Sequence, residues 1–198
     1  MNGNGTSELE GPREAIIRVA TGLFGERGFP ATSMRDIARE VGILAGSLYA
    51  HIDGKETLLL EIIETGIAEY IDEAVAALTG KNGSEERLRA LIRAHLDVVA
   101  RGPRTTKIVF HQWRYLSEDH RALVRHRRDE YEELFVQVVQ AGVDEGIFAA
   151  DLDVPTVVRS ILGALNWTPE WLRADGADPI DVVAQRLADT LILGLCHR

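Results

Sequence analysis

The sequence predicts an all-α protein: three small N-terminal helices forming a head, then a larger C-terminal helical bundle, about nine helices together. Three observations carry this prediction. Apolar residues recur at helical spacing along most of the 198 residues, and no stretch alternates as a half-buried strand would. Helix-start chemistry recurs: Pro12, Pro155 and Pro179 fall in first turns, and Ser33 precedes Asp36 by three. The stops between periodic stretches are rich in Gly, Asp and Pro, as in "TGKNGS", "RGPR", "EGIFAADLDVP" and "ADGADP".

Residues 12–29 place Ile16, Ala20, Leu23 and Phe24 on one face and stop at Gly28. Residues 32–42 open on Thr32 and Ser33, the latter with an Asp-for-Glu capping box, and end at Gly42. A short helix over about 45–52 follows, and a long one runs from Lys55 to about Leu78. Further helices are expected over about 84–101, 103–117, 120–146, 154–173 and 179–195, with caps at Asp153 and Asp178. The expected organisation is a disordered tail over 1–11, a head over 12–55 and a bundle over 56–198.

Composition narrows the class. With 45% hydrophobic and 27% charged residues the chain is ordinary for a globular protein. One cysteine, Cys196, excludes an internal disulfide framework and fits a reducing cytoplasm. The start "MNGNGTSELEG" lacks a signal-peptide pattern, and no segment has about 18 uninterrupted apolar residues, so no membrane partner is expected. The net charge of −9 speaks against nucleic acid until its distribution is considered. Residues 1–55 hold 6 Lys+Arg against 7 Asp+Glu, so the head is near neutral and can present a basic face.

Residues 34–52 meet the steric demands of two short helices crossing at a tight turn. Ala38 is small where the second helix approaches, and Gly42 can take the positive φ of the turn. Ile37, Val41, Ile43, Leu48 and Ile52 fall where apolar side chains lock the pair together. Ser47, Ala50 and His51 are left on the opposite face, with Ala45 and Tyr49 on its flank. Such a helix fits the major groove, and Lys55 offers a charge at the next helix start. A plain scaffolding helix pair satisfies the same spacing.

Residues 31–63, "ATSMRDIAREVGILAGSLYAHIDGKETLLLEII", preceded by "GLFGERGF", resemble the N-terminal signature of TetR-family transcriptional repressors. Ile52 stands where that signature usually has Phe. The resemblance implies a double-stranded DNA operator as partner, with Thr32, Ser33 and Arg35 contacting backbone or groove edge. It places Ala45, Gly46, Ser47, Tyr49 and His51 on the recognition helix, with Lys55 as phosphate anchor. Ala45, Gly46 and Ala50 offer no side-chain hydrogen bonds, so phosphate positioning and DNA shape are expected to dominate.

The same resemblance implies a homodimer and a small-molecule effector. Helices 154–173 and 179–195 carry the expected interface: Ile161, Gly163, Ala164, Val183, Leu187, Leu191 and Gly194. Burial within one chain fits those residues equally. For the effector, an apolar chamber is expected from Phe110, Trp113, Arg114, Phe135, Asn166, Trp167 and Trp171, a set that could also be plain core. The segment "NWTPEWLRADGADP" (166–179) is similar to one in TetR-family repressors that answer to acyl-CoA thioesters in lipid or steroid breakdown. Glu170 and Leu172 depart from that pattern's Arg and Tyr; Arg114, Arg159 and Arg173 are the cations nearby in sequence. Another hydrophobic effector remains equally open.

Two other readings are a ligand-independent DNA-binding protein and a helical enzyme or metal protein. Six His residues form no i, i+4 pair, and His120 and His126 sit among four arginines, so no metal or other cofactor is expected. No nucleophile elbow, P-loop or GxGxxG appears, so no enzyme is expected. "HRALVRHRRDEYEE" (120–133) reads as a solvated face of Glu/Arg pairs.

Overall fold

The computed structural model describes residues 11–172 and 179–196, and residues 1–10 of the expected tail over 1–11, Arg173 and the cap at Asp178 lie outside them. Among the described residues there are nine α-helices and no strand. They are α1 (Pro12–Arg27), α2 (Met34–Val41), α3 (Ala45–Leu48), α4 (Lys55–Leu78), α5 (Ser84–Arg101), α6 (Pro103–Lys107), α7 (Glu118–Asp144), α8 (Val154–Asn166) and α9 (Ile180–Leu193).

Two apolar cores organise the chain. The head core gathers Ile16, Ala20, Leu23, Phe24, Ile37, Leu48 and Ile52 with the first half of α4, from Leu58 to Ile67. The bundle core gathers the second half of α4, at Tyr70 and Ala74, with α5, α7, α8 and α9. The helix α4 therefore belongs to both cores, as does α7 through Val124, and packing runs straight across residues 55 and 56. Phe110 and Ile71 pack against both clusters and mark the seam between them.

Three expected helices differ from the observed ones. The stretch 103–117 is α-helical only to Lys107; Ile108–Gln112 form a π-turn and Trp113–Tyr115 a 3₁₀ turn. Such an expanded turn inserts a residue and re-aims the side chains after it. Here Phe110 faces the bundle while Gln112 reaches the head. The stretch 154–173 stops at Asn166 and resumes as a 3₁₀ turn over Thr168–Glu170. Pro169 has no N–H to continue the ladder, and the Thr168 hydroxyl donates to the Leu165 carbonyl (2.6 Å). Finally, α3 ends at Leu48, although turns continue to His51 and keep Ile52 buried.

The helices around the π-turn approach closely because two glycines permit it. A Cβ on Gly66 of α4 would lie 2.5 Å from a Val109 methyl, and one on Gly25 of α1 would lie 2.8 Å from Arg104 Cβ. Residues 104–112 thus pass against both the head helix α1 and the shared helix α4.

Candidate nucleic-acid interface and bundle interior

The head is built by local chemistry. Ser33 caps α2: its hydroxyl accepts from the Asp36 N–H (3.2 Å), and Asp36 accepts from the Ser33 N–H (3.0 Å). The Ser33 hydroxyl also donates to the Asp36 carboxylate (2.5 Å), and this bond, then the one from the Ser33 N–H, together with Arg39, holds the Asp36 carboxyl below its ordinary range. Gly42 takes the left-handed conformation the turn needs (φ 83°, ψ 28°). Leu48 and Ile37 are fully buried between the two helices, so α3 is fixed by its underside. Its outer side is left to solvent: Gly46, Ser47, Tyr49, Ala50 and His51 are exposed and Ala45 is half-buried.

Ser33, Arg35, Tyr49 and Lys55 come together around an open cleft of about 570 Å³ beside α3. Lys55 stands at the first turn of α4 with Nζ 4.1 Å from the centre of the Phe29 ring. Phe29 in turn stacks on Tyr115 (5.8 Å) and meets Phe24 edge-on (5.3 Å). Partial burial shifts the Lys55 pKa below its ordinary value.

Thr32 requires a correction. It is buried, and its hydroxyl donates to the Gly28 carbonyl at the end of α1 (3.0 Å). It shapes the α1–α2 corner from inside while still lining the cleft beside Ser33 and Arg35, so its hydroxyl is engaged within the head. Leu44 was passed over on this face: it is 80% exposed at the start of α3 and provides no side-chain cap. The signal available was an apolar residue where Ser, Thr, Asn or Asp is preferred.

Two clamps hold the head to the bundle. Gln112 accepts from the Phe29 N–H (2.7 Å) and donates to the Phe24 carbonyl (2.7 Å), gripping the end of α1. Glu56 of α4 accepts from the Ser117 N–H (2.8 Å) and pairs with His120 Nδ1 (2.6 Å) at the start of α7. The hydrogen bonds from Ser117 and then His120 hold the Glu56 carboxyl down to about 2. A depressed carboxyl stabilises the folded state above its ordinary pKa of 4.5 and loses that effect as pH falls toward 2. The difference in thermal midpoint between wild type and Glu56→Gln should therefore be largest above pH 4.5 and shrink on acidification. A constant difference down to pH 2 would show that these bonds are not its origin.

In the bundle, the expected effector residues divide. Phe110 and fully buried Phe135 join one aromatic cluster with Tyr70, His95 and Tyr131, rings 4.8–5.9 Å apart in successive pairs. His95 Nδ1 shares a hydrogen bond with the Tyr131 hydroxyl (3.0 Å), and Tyr70 shares one with Thr106 (2.8 Å). Burial pushes the His95 pKa down to about 3, with the Leu165 backbone acting in the opposite direction, so the ring is neutral. Asn166 reaches the interior: its Oδ1 is buried without a hydrogen bond, as is His111 Nε2.

The other four lie elsewhere. Trp113 is half-buried against the head core. Arg114 is exposed, its Nε donating to the His111 carbonyl nearby in the chain (2.7 Å). Trp167 is 59% exposed with its ring edge toward His111 (6.3 Å). Trp171 lines an outer cleft with Val183, Arg186, Leu187 and Thr190. Glu170 is ion-paired with Lys107 (3.3 Å), and Arg159 lies 3.4 Å from Glu132.

The expected interface mostly faces outward. Gly163 and Gly194 are exposed, and Ala164, Val183, Leu187 and Leu191 are half-buried along one side of α8 and α9. Ile161 is the exception, at 2% exposure inside its own bundle core, because the 3.6-residue period turns it beneath that face. Leu193, 78% exposed, extends the apolar surface. Among the described residues no group of three or more His, Cys, Asp or Glu side chains could hold a metal ion, and no helix is long and apolar enough to cross a membrane.

A capped helix-turn-helix, clamped to a helical bundle that carries an aromatic interior, defines a DNA-binding transcriptional regulator with a second, regulatory domain. Residues 16–62 match the bacterial regulatory proteins, tetR family, and residues 81–195 match the tetracyclin repressor-like C-terminal domain. The chain belongs to the TetR family of transcriptional repressors. It is 30% identical over 191 residues to the HTH-type transcriptional repressor KstR2 of Rhodococcus jostii (strain RHA1), covering 96% of this chain and 94% of that one. Its fold is similar to the ketosteroid transcriptional regulator KstR2 of Mycobacterium tuberculosis, with TM-score 0.85, 26% identity and coverage of 96% and 98%. It is also similar to AibR, solved in complex with isovaleryl coenzyme A and operator DNA, with TM-score 0.84, 26% identity and coverage of 92% and 98%.

Proposed function

We propose that this protein is a ligand-responsive repressor that binds a palindromic operator as a homodimer and is released by a small hydrophobic effector, with acyl-CoA thioesters as the leading class. The observation that supports an operator and an acyl-CoA as ligands is the likeness to AibR, solved in complex with isovaleryl coenzyme A and operator DNA; release of one by the other is what the titration tests. The outward apolar side of α8 and α9 supports dimerisation, and two copies of the α3 face would then read two half-sites. An effector in the bundle favours one setting of α4 over another, and α4 carries Lys55 with it.

Binding-site selection on the purified protein, followed by titration of isovaleryl-CoA and longer acyl-CoAs into the selected complex, tests this. Release at concentrations near the binding constant supports the class, and no release at saturation removes it.

Within that framework Lys55 positions the protein on phosphates. Lys55→Ala should weaken selected operator and random DNA alike and lower the salt slope of binding by about one per half-site. A loss confined to operator would instead assign Lys55 to base readout.

A further inference from the structure

We propose that Arg128 is the anchor for an oxyanion on the effector, a carboxylate or a phosphate, taken up at the seam between the two cores. The inference rests on the effector reading above. Arg128 lies on the buried stripe of α7: Val124, Tyr131, Phe135 and Val138, spaced about it at helical intervals, are all buried. A cation on that stripe breaks the pattern.

Its neighbours show what an ordinary arginine does here. Arg121 and Arg125 reach Glu118 at 2.6 and 2.7 Å, and Arg127 is paired with Glu130. Among the described residues, no carboxylate lies within hydrogen-bonding distance of Arg128. Its guanidinium lies over the rings of Phe110 (5.6 Å) and Trp113 (5.1 Å). Glu132, one turn along, is directed at Arg159 instead. Burial disfavours the charged form of Arg128, and Glu132 and Asp129 offset this only through their field. The two rings offset part of that desolvation, and no hydrogen-bonded carboxylate among the described residues offsets the rest. The planar fork suits a two-oxygen anion.

The surroundings suit a polar group at the end of an apolar body. His111, next to Phe110 in the chain, has a buried Nε2 without a hydrogen-bond partner and stands within the field of Arg128. The Phe110 ring also meets Tyr70 edge-on and stacks on neutral His95, so the walls around the anchor are aromatic. An anion at this place touches the segment that holds Gln112, and with it the end of α1.

The test uses three probes on the full-length protein, each measured by titration calorimetry: octanoate, octanoyl-CoA and octan-1-ol. At least one anionic probe should bind wild type tenfold or more tightly than octan-1-ol. Arg128→Met, which keeps the stem against the rings, should lose that advantage while leaving selected-operator affinity unchanged. Arg128→Lys should fall between them, and it carries the test if Arg128→Met fails to fold. Binding of octanoate identifies a carboxylate, and binding of octanoyl-CoA alone identifies the CoA phosphates. Equal binding of octan-1-ol, or anion binding indifferent to both substitutions, overturns the role of Arg128 and leaves the effector reading standing. Absence of binding by all three probes to wild type removes the aliphatic effector and this inference together.

Discussion

Gly66→Ala should destabilise the protein by about 1–3 kcal/mol, the usual cost of overpacking a filled core. The added Cβ would lie 2.5 Å from a methyl of Val109 and 3.3 Å from one of Thr105. Val109 is fully buried in the head core, so it cannot swing into solvent, and the π-turn must back away from α4. That retreat drags Gln112, three residues on, from the end of α1. The thermal midpoint should fall by several degrees, and operator affinity should fall beyond what the unfolded fraction explains. Gly22→Ala is the control: its Cβ meets nothing within 4 Å, so only helix propensity acts, in the stabilising direction. If both variants melt alike, the contact between α4 and the π-turn is not as tight as the geometry requires.

Gln112→Ala should weaken operator binding about five- to thirty-fold, the equivalent of about 1–2 kcal/mol for losing two bonds and leaving the Phe29 N–H unpartnered. The Phe24 carbonyl suffers less, since it still accepts from the Gly28 N–H (3.0 Å). Gln112→Glu is the discriminating partner. It keeps an acceptor for Phe29 but sets a carboxylate against the Phe24 carbonyl, so it should not rescue binding. Both variants should also respond less to effector, because the bundle no longer grips the end of α1. Fluorescence anisotropy on the selected operator, with melts run in parallel, separates this from simple unfolding. Wild-type affinity and response in both variants would leave the clamp without a role.

What was legible in the sequence was what local chemistry controls. The Ser33–Asp36 box, the left-handed Gly42 and the apolar contact of Ile37 and Leu48, with Val41 and Ile43 half-buried beside it, all formed as their spacing required. They depend on neighbours only a few residues away. The clamps were not legible, because Gln112 meets residues 83 and 88 positions distant and Glu56 meets residues 61 and 64 away. Thr32 was expected at the DNA from the family resemblance, and its bond to the Gly28 carbonyl at the end of the preceding helix had no signal in its own segment. Arg128 was hidden inside a run of arginines that reads as a solvated face. Its place in the period of Val124, Tyr131 and Phe135 was a usable signal. The broken stretch 103–117 had none, since its π-turn packs on Gly66 and its first helix on Gly25, both on other helices.

The shared helix α4 makes the molecule a lever. From Tyr70, where the Thr106 hydroxyl and the aromatic cluster hold it, to Lys55 is about 22 Å at 1.5 Å per residue. A tilt of only about 8° about that point would displace the Lys55 end by about 3 Å, roughly the length of one hydrogen bond. With two protomers moving oppositely, the half-site spacing would change by about 6 Å against a helical turn of about 34 Å. In the proposed homodimer, a small tilt of α4 about Tyr70 would therefore be enough to put two recognition helices out of step with one operator.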